Sequence, residues 1–281
     1  MSRRIRLVTD SSCDLPQNIL QENNIHVVPL NVLFDDESFV SGVEIDNETF
    51  YSKMKNSTTL PKTSSPSPDR FLEKFDCEEE EILVICISSG LSSTYNNALI
   101  AKNMYLEGNS SKKIEVIDTL SGSLGIGILV LKAAELINSG KPLDEIISII
   151  EKEKENISVY VALDTLENAV KGGRIHAFAG KIINALNLKV IVKVEEGLVK
   201  THDKARGEVK SIKKLVEIME EHITDRPNKV IGIAHGNCEE KALKLKSMIE
   251  EKYNFKTILM SEIGPIIGTY AAEGALLISF N

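Results

Sequence analysis

The chain of 281 residues contains no tryptophan, and only 5% of its residues are aromatic. A core of ordinary size must therefore be built mainly from Ile, Leu and Val. No apolar run reaches the roughly 20 residues that a membrane-spanning helix needs. The opening MSRRIRLVTD leads into nothing long or apolar enough for a signal peptide, and Arg3, Arg4 and Arg6 read as residues preceding a first strand. Basic charge is in deficit: 33 Lys and Arg face 41 Asp and Glu, a net charge of −8. A protein that neutralises a phosphate backbone needs a basic surface, so nucleic acid is not an expected partner. Lys210, Lys213 and Lys214 read as a solvated helix face. The four cysteines, Cys13, Cys77, Cys86 and Cys238, form no CxxC pair and no metal-ligand spacing. No metal is expected, and a reducing cytoplasmic compartment fits. His26, His176, His202, His222 and His235 are scattered, without the local context of a triad or a zinc site.

What is present is an alternation of strand-like and helix-like segments. Ile5 to Thr9, His26 to Phe34, Ile82 to Ser88 and Lys113 to Asp118 are short apolar runs. Uninterrupted apolar strands suit a parallel sheet buried on both faces. Between them, Thr94 to Tyr105 and Leu124 to Asn138 carry helical patterns, as does Asn47 to Met54 with Asn47 as its expected N-cap. The acidic run Glu78 to Glu81 reads as a solvated loop. Lys141-Pro142 breaks the chain before a charged helix over Leu143 to Lys154. The second half offers strands at Ile157 to Leu163, Lys229 to His235, Phe255 to Ser261 and Ala275 to Phe280. A hairpin is expected over Leu188 to Thr201 around Glu195-Glu196-Gly197, and helices over Leu166 to Val170, Glu208 to Ile223 and Glu239 to Lys252. The fold expected is α/β with two domains: residues 1–155 with a mostly parallel, doubly wound sheet, and residues 156–281 with a mixed sheet and helices.

In open α/β sheets ligands bind beyond the carboxyl ends of the strands, which directs attention to four loops. Thr9-Asp10-Ser11-Ser12-Cys13-Asp14-Leu15-Pro16 follows the first strand. Its carboxylates suit either a polar pocket floor or the satisfaction of turn and cap amides. Cys13 lacks the nearby base or positive field that a reactive thiol needs. Pro61-Lys62-Thr63-Ser64-Ser65-Pro66-Ser67-Pro68 is stiffened by prolines and crowded with hydroxyls. Ser88-Ser89-Gly90-Leu91-Ser92-Ser93-Thr94 lies between a buried strand and a helix, where free N–H groups and small hydroxyl side chains suit an anion such as a carboxylate. It lacks the spacing and lysine of a phosphate-binding P-loop. Asp118-Thr119-Leu120-Ser121-Gly122-Ser123 repeats the theme. Two later segments add Lys171-Gly172-Gly173-Arg174-Ile175, with a guanidinium able to pair with a carboxylate, and the apolar, glycine-rich Ile263 to Tyr270. Hydroxyls abound and general bases do not, so the serines lack the partner that would activate them as nucleophiles.

Five of these segments, taken in order, resemble the DegV family: VTDSSCDLP, TSSPSP, SSGLSSTYNNA, TLENAVKGGRI and IGPIIGTYAAEG. The resemblance spans essentially the whole chain. It implies two α/β domains holding a long-chain fatty acid of palmitate, stearate or oleate type, with the acyl chain in an apolar tunnel. It further implies a carrier rather than an enzyme, with no cofactor, which presents the fatty acid carboxylate to a fatty acid kinase catalytic subunit for acyl-phosphate formation and lipid synthesis. Carried over by position, Thr63 and Ser92 would hydrogen-bond the carboxylate. Ser64, Ser89, Gly90, Ser93, Arg174, Tyr270 and Asp10 complete the expected binding set. This chain departs from the family pattern at Ser93, where Gly is common, and at Tyr270, where His is frequent. A tyrosine donates a hydrogen bond but carries no positive charge at neutral pH, which bears on any phosphoryl-transfer step. The competing reading is a Mg²⁺-dependent enzyme acting on a small phosphorylated or acylated metabolite, with Asp10, Asp14 and Asp118 as ligands. A third is a scaffold with a filled core and no ligand.

Overall fold

The computed structural model describes residues 5–108, 111–175, 187–223 and 229–281. Arg3, Arg4 and His176 lie outside the described residues. The first half runs β1 (Ile5–Asp10), a 3-10 turn (Ser11–Cys13), α1 (Gln17–Glu22), β2 (Ile25–Val28), β3 (Asn31–Phe34), β4 (Glu37–Val40), α2 (Asn47–Asn56), β5 (Lys62–Ser64), α3 (Pro68–Phe75), β6 (Glu81–Cys86), α4 (Thr94–Gly108), β7 (Lys113–Asp118), α5 (Leu124–Asn138) and α6 (Leu143–Lys154). The second runs β8 (Ser158–Leu163), α7 (Glu167–Lys171), β9 (Leu188–Glu195), β10 (Leu198–Arg206), α8 (Glu208–His222), β11 (Val230–His235), α9 (Glu239–Glu250), β12 (Thr257–Glu262), α10 (Pro265–Ala271) and β13 (Leu276–Phe280).

Strands β2-β1-β6-β7 form a parallel sheet. Every residue of β6 is buried, and the apolar run Ile82–Cys86 within it suits a strand covered on both faces. One face receives α3 and α4, and the other receives α5. A second sheet, β10-β9-β8-β13-β11-β12, is mixed: only β11 and β12 pair in parallel. Its strands sort their side chains by period two. Tyr160, Ala162, Ile191, Leu276 and Ile278 face α8 and α9. Val159, Val161, Val192 and Leu277 face the other way, toward α5. Helix α5 lies between the two sheets. A helix that is apolar over most of its surface must be buried over most of it, and ten of the fifteen residues of α5 are buried, Lys132 and Glu135 marking the outer edge.

The α/β class, with a parallel sheet first and a mixed sheet second, matches the expectation. Several local readings are corrected. His26 to Phe34 is not one strand. Pro29, with no N–H to give a ladder, separates β2 of the parallel sheet from β3, which joins a small antiparallel sheet β4-β3-β5. Asp46, not Asn47, caps α2: its carboxylate accepts the Thr49 N–H at 2.8 Å. The Asn47 amide instead donates to Glu262 at 2.9 Å. Glu81 is not part of a solvated loop; it opens β6 and is buried. Arg6 lies within β1 rather than before it. Within the Ile263 to Tyr270 segment a helix begins, with Pro265 at its first position, where a missing N–H costs nothing.

Candidate functional site

An apolar cavity lies between the inner face of the mixed sheet and the loops at the carboxyl ends of the parallel strands, with about 760 Å³ free of protein atoms and part of it open to solvent. Its sheet side is set by alternation: Val159, Val161 and Leu163 of β8, Val192 and Val194 of β9, Val199 of β10 and Leu277 of β13. The facing side comes from Leu30, Ile87, Leu91, Gly122 and Ser123, and one flank from Ile266 and Ile267 of α10. The space runs against the scaffold reading, which required a filled core.

Four of the nine residues expected from the sequence line this cavity: Thr63, Ser92, Arg174 and Tyr270. They come from β5, the loop before α4, the segment after α7, and α10. The Thr63 and Tyr270 hydroxyls are hydrogen-bonded at 2.8 Å. The Arg174 guanidinium stacks on the Tyr270 ring, 4.4 Å from its centroid, an attraction between a cation and the ring quadrupole. Its Nη1 donates to the Gly172 carbonyl at 2.8 Å and its Nε to the Leu91 carbonyl at 3.3 Å. The cation is thereby held at one angle. Gly172 admits the ring: a Cβ there would lie 2.4 Å from Tyr270 Cε1. The Ser92 hydroxyl shares a 2.8 Å hydrogen bond with Thr94 Oγ1 at the start of α4. A surface recess touching Thr59, Lys62, Glu167 and Lys171 reaches the same Thr63, Arg174 and Tyr270 from outside.

The other five residues do not line the cavity. Ser64 follows Thr63 on β5, so its side chain takes the opposite face, and it is exposed. Ser89 and Gly90 are exposed. The Ser89 N–H donates to the Asp118 carboxylate at 3.2 Å, and Gly90 lies under the tip of the β9–β10 hairpin. Ser93 is exposed and its carbonyl accepts the Asn97 N–H at 2.9 Å. Asp10 is fully buried, where it accepts the Ile87 N–H at 2.8 Å, the Ser12 N–H at 2.9 Å and the Ser12 hydroxyl. Of the two readings left open for the acidic loop, turn and cap satisfaction describes these contacts of Asp10. Burial raises the Asp10 pKa, against the pull of those donors.

Asp14 is buried as well. It accepts the Ser123 hydroxyl at 2.5 Å and the Gly264 N–H at 2.9 Å, and burial pushes its carboxyl up to about 7. Burial also raises the Cys13 thiol, which opposes formation of a nucleophilic thiolate. Among the described residues, no cluster of three or more His, Cys, Asp or Glu is placed to hold a metal ion. Asp10 and Asp14 are already engaged by protein donors, which weakens the Mg²⁺ reading.

The hairpin tip closes over the cavity. The Ser88 hydroxyl donates to the Gly197 carbonyl at 2.7 Å. Gly197 has φ +76°, and a Cβ there would lie 2.6 Å from Ser88 Oγ, so a turn with a side chain could not seat in this place. The sequence did not single out Leu30 or the valines of β8 and β9, and it marked Ser123 only as the last residue of the Asp118 loop. Period-two alternation was the available signal for the valines, but alternation alone does not say which face meets an empty space.

The family model described as "Uncharacterised protein, DegV family" matches residues 4–281. A DegV domain-containing protein of Clostridium perfringens is 34% identical over 284 residues, covering 99% of this chain and 97% of that protein. A DegV family protein of Ruminococcus gnavus, solved with vaccenic acid, superposes with a TM-score of 0.91 at 28% identity, over 98% of this chain and 99% of that one. The fatty acid kinase B3 protein of Streptococcus pneumoniae, loaded with linoleic acid, gives a TM-score of 0.90 at 28% identity, over 99% of each chain. With the family match spanning all but the first three residues, this chain belongs to the DegV family.

Proposed function

We propose that this protein is a carrier of one long-chain fatty acid, whose acyl chain lies in the apolar cavity and whose carboxylate meets Thr63, Ser92, Arg174 and Tyr270. The observation that carries this reading is the cavity itself: apolar along the sheet, and ended by two bonded hydroxyls and a fixed guanidinium. The fatty acids held by the Ruminococcus gnavus and Streptococcus pneumoniae relatives support it. Burying about a dozen methylenes at about 0.8 kcal/mol each gives roughly 10 kcal/mol gross, from which the costs of ordering and association are subtracted. A buried carboxylate needs donors or it is very costly, and this end of the cavity supplies them. Residues 1–155 would contribute the hydroxyl loops and residues 156–281 most of the acyl wall. In support of that division, among the described residues no strand of 5–118 pairs with a strand of 158–280.

We further propose that the carboxylate is presented to a fatty acid kinase catalytic subunit in the cytoplasm, and that this chain performs no chemistry of its own. The fatty acid kinase B3 relative supports this step, as does the outer recess that gives access to Thr63, Arg174 and Tyr270. Among the described residues no helix is long and apolar enough to cross a membrane.

The test is native mass spectrometry of protein purified without added lipid, then analysis of a solvent extract. A single fatty acid per chain is expected. Protein that arrives empty and takes up neither palmitate nor oleate would sink the carrier reading. Incubation of loaded protein with a kinase subunit and ATP then tests presentation through formation of acyl phosphate.

A further inference from the structure

We propose that Asp14 is a positioning residue for the fatty acid site, a buried carboxylate that sets how the two walls of the cavity stand against each other. The inference rests on the carrier reading. Asp14 lies at the junction of three segments. It belongs to the loop after β1, in the left-handed backbone region at φ 52°. Its Oδ2 accepts from Ser123, which lines the cavity at the head of α5. Its Oδ1 accepts the N–H of Gly264, immediately before α10. Its own backbone carbonyl accepts the Ser261 hydroxyl from β12. Helix α10 carries Ile266 and Ile267 on the cavity flank and Tyr270 at the polar end. One carboxylate thus holds a residue of the loop-side wall and the start of the helix that carries Tyr270.

The groups that face Asp14 are few. Asp10 from the end of β1 and Glu262 from the end of β12 are the charges acting on it, and both disfavour its ionised form. Cys13 adjoins it in the 3-10 turn. Tyr51 of α2 is buried nearby, where its hydroxyl donates to the Ile263 carbonyl at 2.9 Å. Helices α5 and α10 present Ser123 and a backbone N–H to it and no ionisable side chain. The ionised carboxylate accepts both wall contacts at once. On protonation one oxygen becomes a donor. The Ser123 hydroxyl can turn to accept it, but a backbone N–H at the other oxygen then meets a neutral acceptor, and charge-assisted bonds are the stronger kind. The start of α10 is held less firmly, and with it Tyr270.

Linkage makes the effect reciprocal: if ionised Asp14 favours ligand, ligand lowers the Asp14 pKa by the logarithm of the same factor. A shift of about one unit corresponds to a tenfold change in affinity. The experiment measures oleate affinity from pH 6 to pH 8 for the wild type and for Asp14→Asn, which keeps the shape and removes the titration. Wild-type affinity is expected to fall about threefold to tenfold from pH 8 to pH 6, within that linkage bound. Asp14→Asn is expected to keep only the shallower dependence that the oleate headgroup contributes, and to bind near the low-pH wild-type value. Because the oleate headgroup titrates in both proteins, equal slopes in the two would overturn the proposal. So would a variant that binds as tightly as wild type at pH 8. If Asp14→Asn does not fold, the Asp14 carboxyl is followed in the wild type by ¹³C NMR with and without oleate. A pKa that drops on loading upholds the proposal and an unmoved one overturns it. Wild type that binds no oleate at any pH would instead refute the carrier reading.

Discussion

Thr63 and Tyr270 stand far apart in the sequence, yet their hydroxyls share one hydrogen bond across the polar end of the cavity. A typical intramolecular hydrogen bond contributes about 0.5–1.5 kcal/mol net. Thr63→Ala and Tyr270→Phe should therefore each weaken fatty acid retention by about two- to tenfold. Since the two side chains share a bond, the double variant should lose less than the sum of the singles. Affinities from fluorescent fatty acid displacement check this, and strict additivity would mean that the bond has no role in binding. Ser92→Ala belongs to the same series. Asp10→Asn offers the contrast: a residue engaged entirely inside the protein should lower thermal stability before it alters headgroup affinity. The sequence marked the loops of Thr63 and Ser92 by their hydroxyls and Arg174 by the glycine pair before it, whereas Tyr270 and the individual headgroup roles came from the family resemblance. It also drew in Ser64, Ser89, Gly90, Ser93 and Asp10, because polarity is local information and the direction of a side chain is not.

At the scale of elements, the cavity depends on β8 and β9 presenting valines to it and on the hairpin and α10 closing its ends. Val161→Phe extends a side chain into empty space. It should leave the fold intact, with a melting temperature near wild type in the ligand-free state, and abolish uptake of oleate. Retained uptake would place the acyl chain elsewhere. Gly172→Ala would put a Cβ 2.4 Å from the Tyr270 ring. The ring must swing away and release Arg174, a misfit of the sort that costs about 1–3 kcal/mol. Weaker binding with a modest loss of stability is expected, and unchanged binding would remove the Arg174–Tyr270 stack from the site. The extents of α5 and α6 were legible because their patterns are long and bounded. The division of His26 to Phe34 between two sheets was not: Pro29 marks a break, but its flanks are equally strand-like, and which sheet each joins is decided by distant partners.

For the whole molecule, a ligand that binds only the folded state stabilises it by about 2.7 kcal/mol at a hundred times its Kd. Stripped protein should therefore melt lower than loaded protein and recover on adding oleate. Stability of the stripped protein should also depend on pH through Asp14. Its carboxyl sits at about 7 in the folded state against an ordinary 3.8. The native state holds that proton more tightly than the unfolded chain, so this contribution favours folding at low pH. It is lost progressively as pH rises from about 4 through 7. Thermal melts at pH 5 and pH 7.5 should show a smaller fall for Asp14→Asn than for wild type. Asp10 shares the raised direction, so some dependence should persist in the variant. An ionised Asp14 would then cost stability while organising the site, as a charge kept for function commonly does.

The sequence by itself determined the α/β class, most of the helices and strands, and the loops from which a polar site would be drawn. Those features follow from local periodicity and from proline and glycine punctuation, which act over a few residues. Only the tertiary structure decided that α5 is shared between two sheets, that Asp14 reaches Ser123 and Gly264, and that four of nine polar candidates converge on one cavity. These contacts join segments well separated in the chain, by 109 residues for Asp14 and Ser123 and by 250 for Asp14 and Gly264. They depend on how twisted sheets and buried helices pack in three dimensions, and no local pattern along the chain encodes that arrangement.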